Sequence, residues 1–266
     1  MIYGVSTIDS ISILGSGWLG LPLAERFTRQ GYPLKLSTRS AERLPELTAL
    51  QFDACIVDIG KPLHDIEAFL QSKILIVNIT SKDIDGFARL VKRIEVSSIE
   101  SVLFVSSTSV YPNDRQLAVE SVGNELADHP LVIIENLFRQ SRKFRTTVVR
   151  FAGLVGGNRH PGRFFRGGKV VKNPDARVNL IHRDDCIEIM LQIVRDGIWD
   201  ETFNACADAH PSKREFYSRA ATMLGAPLPV FDEAGGSACK IVDNSKLKRV
   251  LGYEFRRPDL MAMYSE

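Results

Sequence analysis

A glycine-rich turn between an apolar run and an amphipathic segment limits the possible folds of this chain more than any other feature. The run Ile11-Ser-Ile-Leu leads into Gly15-Ser-Gly17-Trp-Leu-Gly20, and Leu23 and Phe27 follow at helical spacing. In a strand–turn–helix of this kind, the first glycine makes the turn, the second lets backbone approach a phosphate, and the third allows close helix packing. The helix N-terminus then offers N–H groups and a positive dipole. The segment predicts a dinucleotide-binding loop, formed by Gly15, Ser16, Gly17, Trp18, Leu19 and Gly20; a turn that merely packs is the alternative.

Short apolar runs alternate with helical segments through the first half of the chain, as in successive βαβ units. The predicted strands are Ser10–Leu14, Leu34–Thr38, Ala54–Asp58, Ile74–Asn78, Val102–Ser106 and Thr146–Phe151. Continuous apolar strands suit a parallel sheet that helices cover on both faces. The pattern therefore predicts an α/β fold with a doubly wound parallel sheet of the Rossmann type.

The second half changes character after Phe151, where a glycine-rich, basic stretch precedes further helices. Helices are predicted over Asp184–Asp196, from a capping box at Ser212–Glu215 to Gly225, and over Asn244–Leu251. We expect residues 1–155 to form a Rossmann core that binds NADP. Residues 156–266 are expected to form a small mixed substrate lobe over the carboxyl ends of the strands, with 184–206 returning to the core sheet.

Charge and cysteine usage exclude several classes of protein. The net charge is +2, and basic and acidic residues are interspersed, so no basic stripe for nucleic acid is visible. The four cysteines are widely spaced and form no zinc pattern, which predicts reduced thiols and no metal site. Neither a signal core at the N-terminus nor an apolar run of about 20 residues is present. We expect a cytoplasmic protein with no membrane partner; the sequence does not indicate an oligomeric state.

The end of the second strand bears on the choice of dinucleotide. NAD-specific folds place Asp or Glu about 20 residues after the glycines, to bind the ribose 2′-hydroxyl. Here Leu36-Ser-Thr38-Arg39-Ser40 contains no carboxylate, and Arg39 could pair with a 2′-phosphate. Thr38 and Arg39 are therefore predicted cofactor residues and NADP the predicted cofactor, with NAD still possible. The alternative is that Arg39 is a solvated loop residue.

Taken together, these segments resemble the short-chain dehydrogenase/reductase superfamily, in its extended or atypical branch of NAD(P)-dependent epimerase/dehydratase-like proteins. Beside the glycine loop, the matching segments are Val57–Ile59, Phe104–Tyr111, Val149–Gly156 and Asn179–Asp185. The resemblance implies that Asp58 and Ile59 flank the adenine and that 152–155 pass the nicotinamide carboxamide. It also implies that His182 lies on a substrate-facing loop.

Catalysis in this superfamily uses a Ser or Thr hydroxyl, a Tyr, and a Lys four residues after the Tyr. The resemblance assigns the hydroxyl to Ser107, but no tyrosine of this chain precedes Lys by four. Ala127 and Leu131 occupy the Tyr and Lys positions of the expected helix. The usual proton relay is therefore absent.

Two hypotheses follow. In the first, the chain is an NADP-dependent oxidoreductase or epimerase with a relocated acid or base, for which Tyr111, His160 and His182 are candidates beside Ser107. The basic stretch Arg159–Lys169 then suits an anionic small-molecule substrate such as a nucleotide sugar. We expect a cleft between Ser107, Tyr111, Ala152–Gly156 and His182, beside the nicotinamide. In the second hypothesis, the chain binds NADP without turnover, as a sensor or partner-binding protein.

Overall fold

The structure is a computed structural model that describes residues 9–114, 116–165, 169–234 and 239–262. The N-terminal segment 1–8 lies outside these residues. Arg166, Gly167 and Gly168 of the basic stretch also lie outside them.

Thirteen strands and seven helices are formed by the described residues. The strands are β1 (Ile11–Leu14), β2 (Leu34–Thr38), β3 (Asp53–Ile56), β4 (Ile74–Val77), β5 (Ser101–Ser107), β6 (Leu117–Ala118), β7 (Arg145–Phe151), β8 (Gly153–Val155), β9 (Val170–Val171), β10 (Leu180–His182), β11 (Thr202–Ala205), β12 (Val230–Phe231) and β13 (Ile241–Val242). The helices are α1 (Gly20–Arg29), α2 (Leu44–Ala49), α3 (Ile84–Ile94), α4 (Pro130–Arg139), α5 (Arg183–Arg195), α6 (Lys213–Met223) and α7 (Ser245–Leu251).

Seven of these strands form one sheet, in the order β11-β7-β5-β4-β1-β2-β3. β1 pairs in parallel with both β2 and β4, and the β2–β3 and β4–β5 pairs are also parallel. The chain builds outward from β1 to β3 and then crosses back to β4, so strand order reverses between β1 and β4. Ligands of such sheets bind at this reversal, outside the carboxyl ends of the strands. The predicted doubly wound α/β fold is confirmed.

Burial of apolar strands and helix faces holds the sheet together. Every residue of β1 and β4 is buried, as expected for central strands covered on both faces. Phe87 of α3, Phe104 of β5 and Phe138 of α4 pack together, with the Phe104 and Phe138 rings stacked at 5.0 Å between centroids. Such burial of large side chains is the main driving force for this arrangement.

Three small parallel sheets complete the fold, and pair β6 with β13, β8 with β10, and β9 with β12. The structure separates into two compact units. The first contains residues 9–106, 127–148 and 194–201, and the second contains the other described residues. The predicted boundary after residue 155 divides the chain once, whereas each of these units combines several segments. That residues 1–155 bind the cofactor and residues 156–266 the substrate stays a prediction. No helix among the described residues is long and apolar enough to cross a membrane.

Candidate functional site

The glycine loop of the first unit follows β1 at the strand reversal. Gly15 has φ +106°, and a Cβ there would lie 2.6 Å from the carbonyl oxygen of Asn78, which follows β4. The Gly15 N–H donates to Ser37 Oγ of β2 at 3.1 Å. A Cβ at Gly20 would overlap the Gly15 carbonyl oxygen, so the first turn of α1 packs directly on the loop. The backbone conformation and close packing therefore require glycine at both positions.

The middle of the loop, in contrast to Gly15 and Gly20, is open and contains a polar side chain without a hydrogen-bond partner among the described residues. Gly17 is exposed, and none of the described atoms lies within 4 Å of a Cβ built on it. The Ser16 hydroxyl is buried, with the residue 3% exposed, yet it has no hydrogen-bond partner among the described residues. Leu19, which precedes α1, makes no side-chain cap, and the first turn contains no acidic residue. Free N–H groups, a hydroxyl and an uncompensated helix dipole suit a phosphate.

Trp18 and Leu19 complete the loop predicted from the sequence. Leu19 is buried beside the start of α1, whereas Trp18 is half-buried. The structure thus gives Leu19 a packing role, and any contact it makes with a ligand comes through its backbone.

The ends of β2 and β3 carry the residues expected around the adenosine. Thr38 is buried, and its Oγ1 accepts from the Ser40 N–H at 3.2 Å. Arg39 is exposed and makes no hydrogen bond or ion pair with any other described residue. Asp58 Oδ1 accepts from the Gly60 N–H at 3.0 Å. Ile59 is only 5% exposed and belongs to the core, so its side chain offers little surface to a ligand.

Sequence reasoning missed Arg43, which reaches this loop from the segment before α2. Its Nη1 donates to the Ser16 carbonyl oxygen at 2.9 Å, and its Nε lies 3.3 Å from Glu46 Oε2. The partner lies 27 residues earlier in the chain, and only the packing of the segment after β2 brings the two together. The only sequence feature that could have indicated Arg43 was a basic residue shortly after β2.

Ser107, the predicted catalytic hydroxyl, is the last residue of β5 and is partly exposed. Its Oγ accepts from the Ser109 N–H at 3.1 Å and so caps the short 3₁₀ turn Thr108–Val110. Because this bond uses the oxygen as an acceptor, the hydroxyl proton stays available for donation.

Tyr111 lies in a different environment from the one that a proton donor requires. The residue is 2% exposed, and its hydroxyl donates to Asn204 Oδ1 at 3.0 Å while accepting from Arg150 Nη1 at 2.6 Å. Arg150 is itself buried and also pairs with Glu125. Burial raises the pKa of Tyr111 above its ordinary value. This geometry favours a structural anchor, and the predicted catalytic role of Tyr111 gains no support from it.

His182 ends β10 and is partly buried, with 13% of its side chain exposed. Its Nδ1 accepts from the Asp184 N–H at 3.2 Å, and the other edge of the ring lies against Gly156, whose φ is +104°. Burial is the main cause that lowers the pKa of His182 below its ordinary value, and the nearby Asp184 carboxylate opposes it. The ring is therefore neutral near pH 7, with its proton on Nε2.

His160 is also predicted as a candidate, and it opens a 3₁₀ turn over Pro161–Arg163. Its Nδ1 accepts from the Gly162 N–H at 3.1 Å. Burial and the Arg163 charge lower the pKa of His160.

α4 lacks the tyrosine–lysine pair of the superfamily. Leu131, at the lysine position, packs against the core of the first unit, and Ala127 is exposed ahead of the helix. The acid that follows, Glu135, is fully buried and accepts from Ser106 Oγ at 2.6 Å while pairing with Arg139. The helix therefore supports the end of β5 and supplies no ammonium group.

A cavity of about 540 Å³ lies within the second unit. Its lining is mainly apolar and comprises Pro161, Gly162, Phe165, Lys169, Tyr217, Leu224 and the segment 225–230. Ser107, Tyr111 and His182 are not among these residues, so the predicted cleft between them stays a prediction. Among the described residues, no cluster of His, Cys, Asp or Glu could hold a metal ion.

Comparison with known proteins places the chain in a structural class. No family model matches it. Protein YeeZ of Escherichia coli K12 is 29% identical over 275 residues, covering 96% of this chain and 99% of that protein. A Methylobacillus flagellatus protein, proposed to be an NAD-dependent epimerase/dehydratase, superposes with a TM-score of 0.80 at 23% identity, over 97% of each chain. The chain has the epimerase/dehydratase fold.

A structure with bound ligands has the same fold. The Bordetella bronchiseptica enzyme WbmG, solved with NAD and UDP, superposes with a TM-score of 0.78 at 16% identity. The match covers 97% of this chain and 93% of WbmG. At such identities the likeness establishes the fold, whereas residues and chemistry must be argued from this chain itself.

Proposed function

We propose that the chain is an NAD(P)-binding oxidoreductase or epimerase of the short-chain dehydrogenase type. The observation that carries the proposal is the glycine loop at the strand reversal. There, the buried Ser16 hydroxyl lacks a partner among the described residues, Gly17 faces open space, and the first turn of α1 carries no carboxylate. A pyrophosphate would pair with the Ser16 hydroxyl and interact favourably with the N-terminus of α1. Because buried polar groups are normally hydrogen-bonded, the Ser16 hydroxyl supports a ligand at this loop.

The bound cofactor in this proposal is NADP. In support, the end of β2 carries Arg39 where an NAD-specific fold carries an acid, and Arg39 has no partner among the described residues. A guanidinium recognises phosphate through paired hydrogen bonds. Thr38, Asp58 and the backbone of Ile59 form the remaining wall of the adenosine site in this proposal.

The substrate in this proposal is a small anionic molecule of the nucleotide-sugar class. The exposed cations Arg159, Arg163 and Lys169 support an anionic substrate. The fold relative WbmG was solved with UDP, which makes a uridine nucleotide the first compound to test.

The chain's own residues divide the remaining chemistry, while the nicotinamide supplies hydride transfer when the cofactor is bound. The Ser107 hydroxyl holds the substrate oxygen, since its proton is free to donate. His182 exchanges the proton, because its depressed pKa leaves a neutral imidazole near pH 7. Tyr111 takes no part in proton transfer and anchors the segment that follows Ser107.

Transfer of hydride to or from substrate tests this proposal. The protein is loaded with NADPH deuterated at C4 and incubated with UDP-sugars and their 4-keto derivatives, and deuterium in the products is measured by mass spectrometry. Deuterium transferred from the nicotinamide to a keto sugar, which the hydride reduces to an alcohol, supports an enzyme. Binding of NADPH without exchange in any mixture favours the second candidate.

That second candidate is a binding protein without turnover. A specific observation favours it, since Leu131 stands where an ammonium would hold the nicotinamide ribose and lower the pKa of a tyrosine. The burial of Tyr111 removes the obvious substitute. Ser107 separates the candidates, because its loss affects turnover in an enzyme and leaves cofactor binding unchanged in both.

A further inference from the structure

Arg43, which follows β2, is held against the glycine loop by a hydrogen bond. Its Nη1 donates to the Ser16 carbonyl at 2.9 Å, and its side chain is 35% exposed. The same loop contains the unpartnered Ser16 hydroxyl and the open face of Gly17. Arg43 is therefore fixed at the edge of the proposed site for the cofactor phosphates.

Most of the hydrogen-bonding capacity of Arg43 is unused by its described partners. A guanidinium has five N–H donors, and the contacts with Ser16 and Glu46 engage two of its nitrogens. The Glu46 side chain is 55% exposed, so this ion pair is weak and an arriving phosphate can compete with it. Arg43 can thus keep its bond to the loop while it binds an anion.

Arg39 differs from Arg43 in being unrestrained. It is exposed and has no partner among the described residues, so binding a phosphate requires it to lose side-chain freedom. Arg43 has lost much of that freedom already through its bond to Ser16. A preorganised cation contributes more to affinity and selectivity than a mobile one.

We propose that Arg43 is the residue that determines selectivity for a 2′-phosphorylated dinucleotide, by donating to the 2′-phosphate from its fixed position beside the glycine loop. The proposal rests on the proposed function of that loop as a dinucleotide site. The 2′ side of the adenosine ribose lies near the end of the second strand in this class of fold, and Arg43 ends the 3₁₀ turn that follows it. Arg39 then provides a second, mobile contact.

Paired titrations test this assignment. The wild-type protein, Arg43→Gln and the control Arg29→Gln are titrated calorimetrically with NADPH and NADH. Arg29 is exposed at the far end of α1, so its replacement removes the same charge away from the loop. Because charge-assisted bonds contribute about 1.5–3 kcal/mol, Arg43→Gln should weaken NADPH binding roughly 10- to 100-fold. NADH binding should change less than about twofold, as should both affinities in Arg29→Gln.

Two fragments separate this inference from the proposed function. Adenosine 2′,5′-bisphosphate and 5′-AMP differ only in the phosphate at issue, and Arg43→Gln should reduce the affinity of the first alone. An equal loss for both fragments, or for NADPH and NADH, overturns the inference and makes Arg43 a support of loop geometry. No loss in Arg43→Gln, with a loss in Arg39→Gln, assigns selectivity to Arg39 instead. Wild-type protein that binds neither dinucleotide overturns the proposed function as well.

Discussion

The three glycines of the loop are subject to different physical constraints, which the sequence motif does not distinguish. Gly15 is held by its positive φ and Gly20 by contact with the Gly15 carbonyl, so both are structural requirements. Gly17 has neither constraint, and a side chain there would project into open space. A ligand that approaches the backbone, as the proposed dinucleotide does, would explain why glycine stands there.

Replacing Gly17 by Val should therefore abolish binding of both NADPH and NADH while the protein stays folded. A Cβ on residue 17 has no described atom within 4 Å, and the valine would occupy the space that the proposal assigns to the pyrophosphate. Circular dichroism melting measures whether the variant stays folded, and calorimetric titration measures whether it binds either dinucleotide. Gly20→Ala serves as the opposite control and should destabilise the fold, since its Cβ overlaps the Gly15 carbonyl. A soluble Gly17→Val protein that titrates like the parent would place the phosphate site elsewhere.

Ser107 supports a second prediction at the same scale. If the chain is an enzyme, Ser107→Ala should lower turnover by about 10²–10³, as loss of one donor to a reacting oxygen does elsewhere. NADPH affinity should change little. Ser109→Ala is the matched control, because it removes an exposed hydroxyl two residues away and keeps the backbone N–H that Ser107 accepts from. If Ser107→Ala and Ser109→Ala show equal turnover, Ser107 has no catalytic role.

At the scale of elements, regular periodicity predicted most of the long segments to within a residue or two. α5 covers Arg183–Arg195, one residue before the predicted Asp184–Asp196 at each end. The predicted capping box is present, since Ser212 accepts from the Glu215 N–H and Glu215 accepts from the Ser212 N–H. α7 ends at Leu251, as predicted, and Gly252 follows it in the left-handed conformation.

The short strands and the long-range contacts escaped prediction for a physical reason. β6, β9, β12 and β13 have two residues each, which is too few for an alternating pattern. Their pairing depends on partners far along the chain. The same holds for the Arg43–Ser16 contact and for the Tyr111–Asn204 bond, which spans 93 residues. The sequence therefore predicts Tyr111 as a catalytic candidate without showing that its hydroxyl bonds to Asn204 and Arg150.

The start of α5 supports a stability prediction. Asp185 is fully buried and accepts from the Tyr253 hydroxyl at 2.8 Å and from the Arg256 and Arg257 N–H groups at 2.7 and 3.2 Å. Asp185→Asn turns one acceptor into a donor that faces other donors, so it should cost about 2–4 kcal/mol in the free energy of unfolding.

Asp184→Asn is the control for that measurement, because its side chain is 48% exposed and its loss should cost about 0.5 kcal/mol. Urea unfolding followed by circular dichroism gives both values. Equal stabilities of the two variants would show that the C-terminal segment is not held through Asp185.

At the scale of the whole molecule, the order of strands fixes where a ligand can bind. Alternation in the sequence predicted a parallel sheet, and the structure adds that the order reverses between β1 and β4. The carboxyl ends of these strands lead into Gly15 and Asn78, which touch. Sequence alone located the loop by its glycines, but the reversal that favours it as the proposed ligand site follows from pairings that no local pattern encodes.

Ligand binding at this point should stabilise the whole fold, and NADPH should do so more than NADH. A ligand that binds only the native state adds RT ln(1 + [L]/Kd) to its stability, so at saturating and equal concentrations a tenfold preference adds about 1.4 kcal/mol. Arg39 and Arg43 are the physical reason, since both follow β2 and no acid occupies the end of that strand. Thermal melting with matched concentrations of the two dinucleotides measures the difference. Gly17→Val is the control, because it should melt at the same temperature with or without either compound. A larger shift with NADH than with NADPH would assign the site to NAD, whereas equal shifts that persist in Gly17→Val would place binding outside the loop.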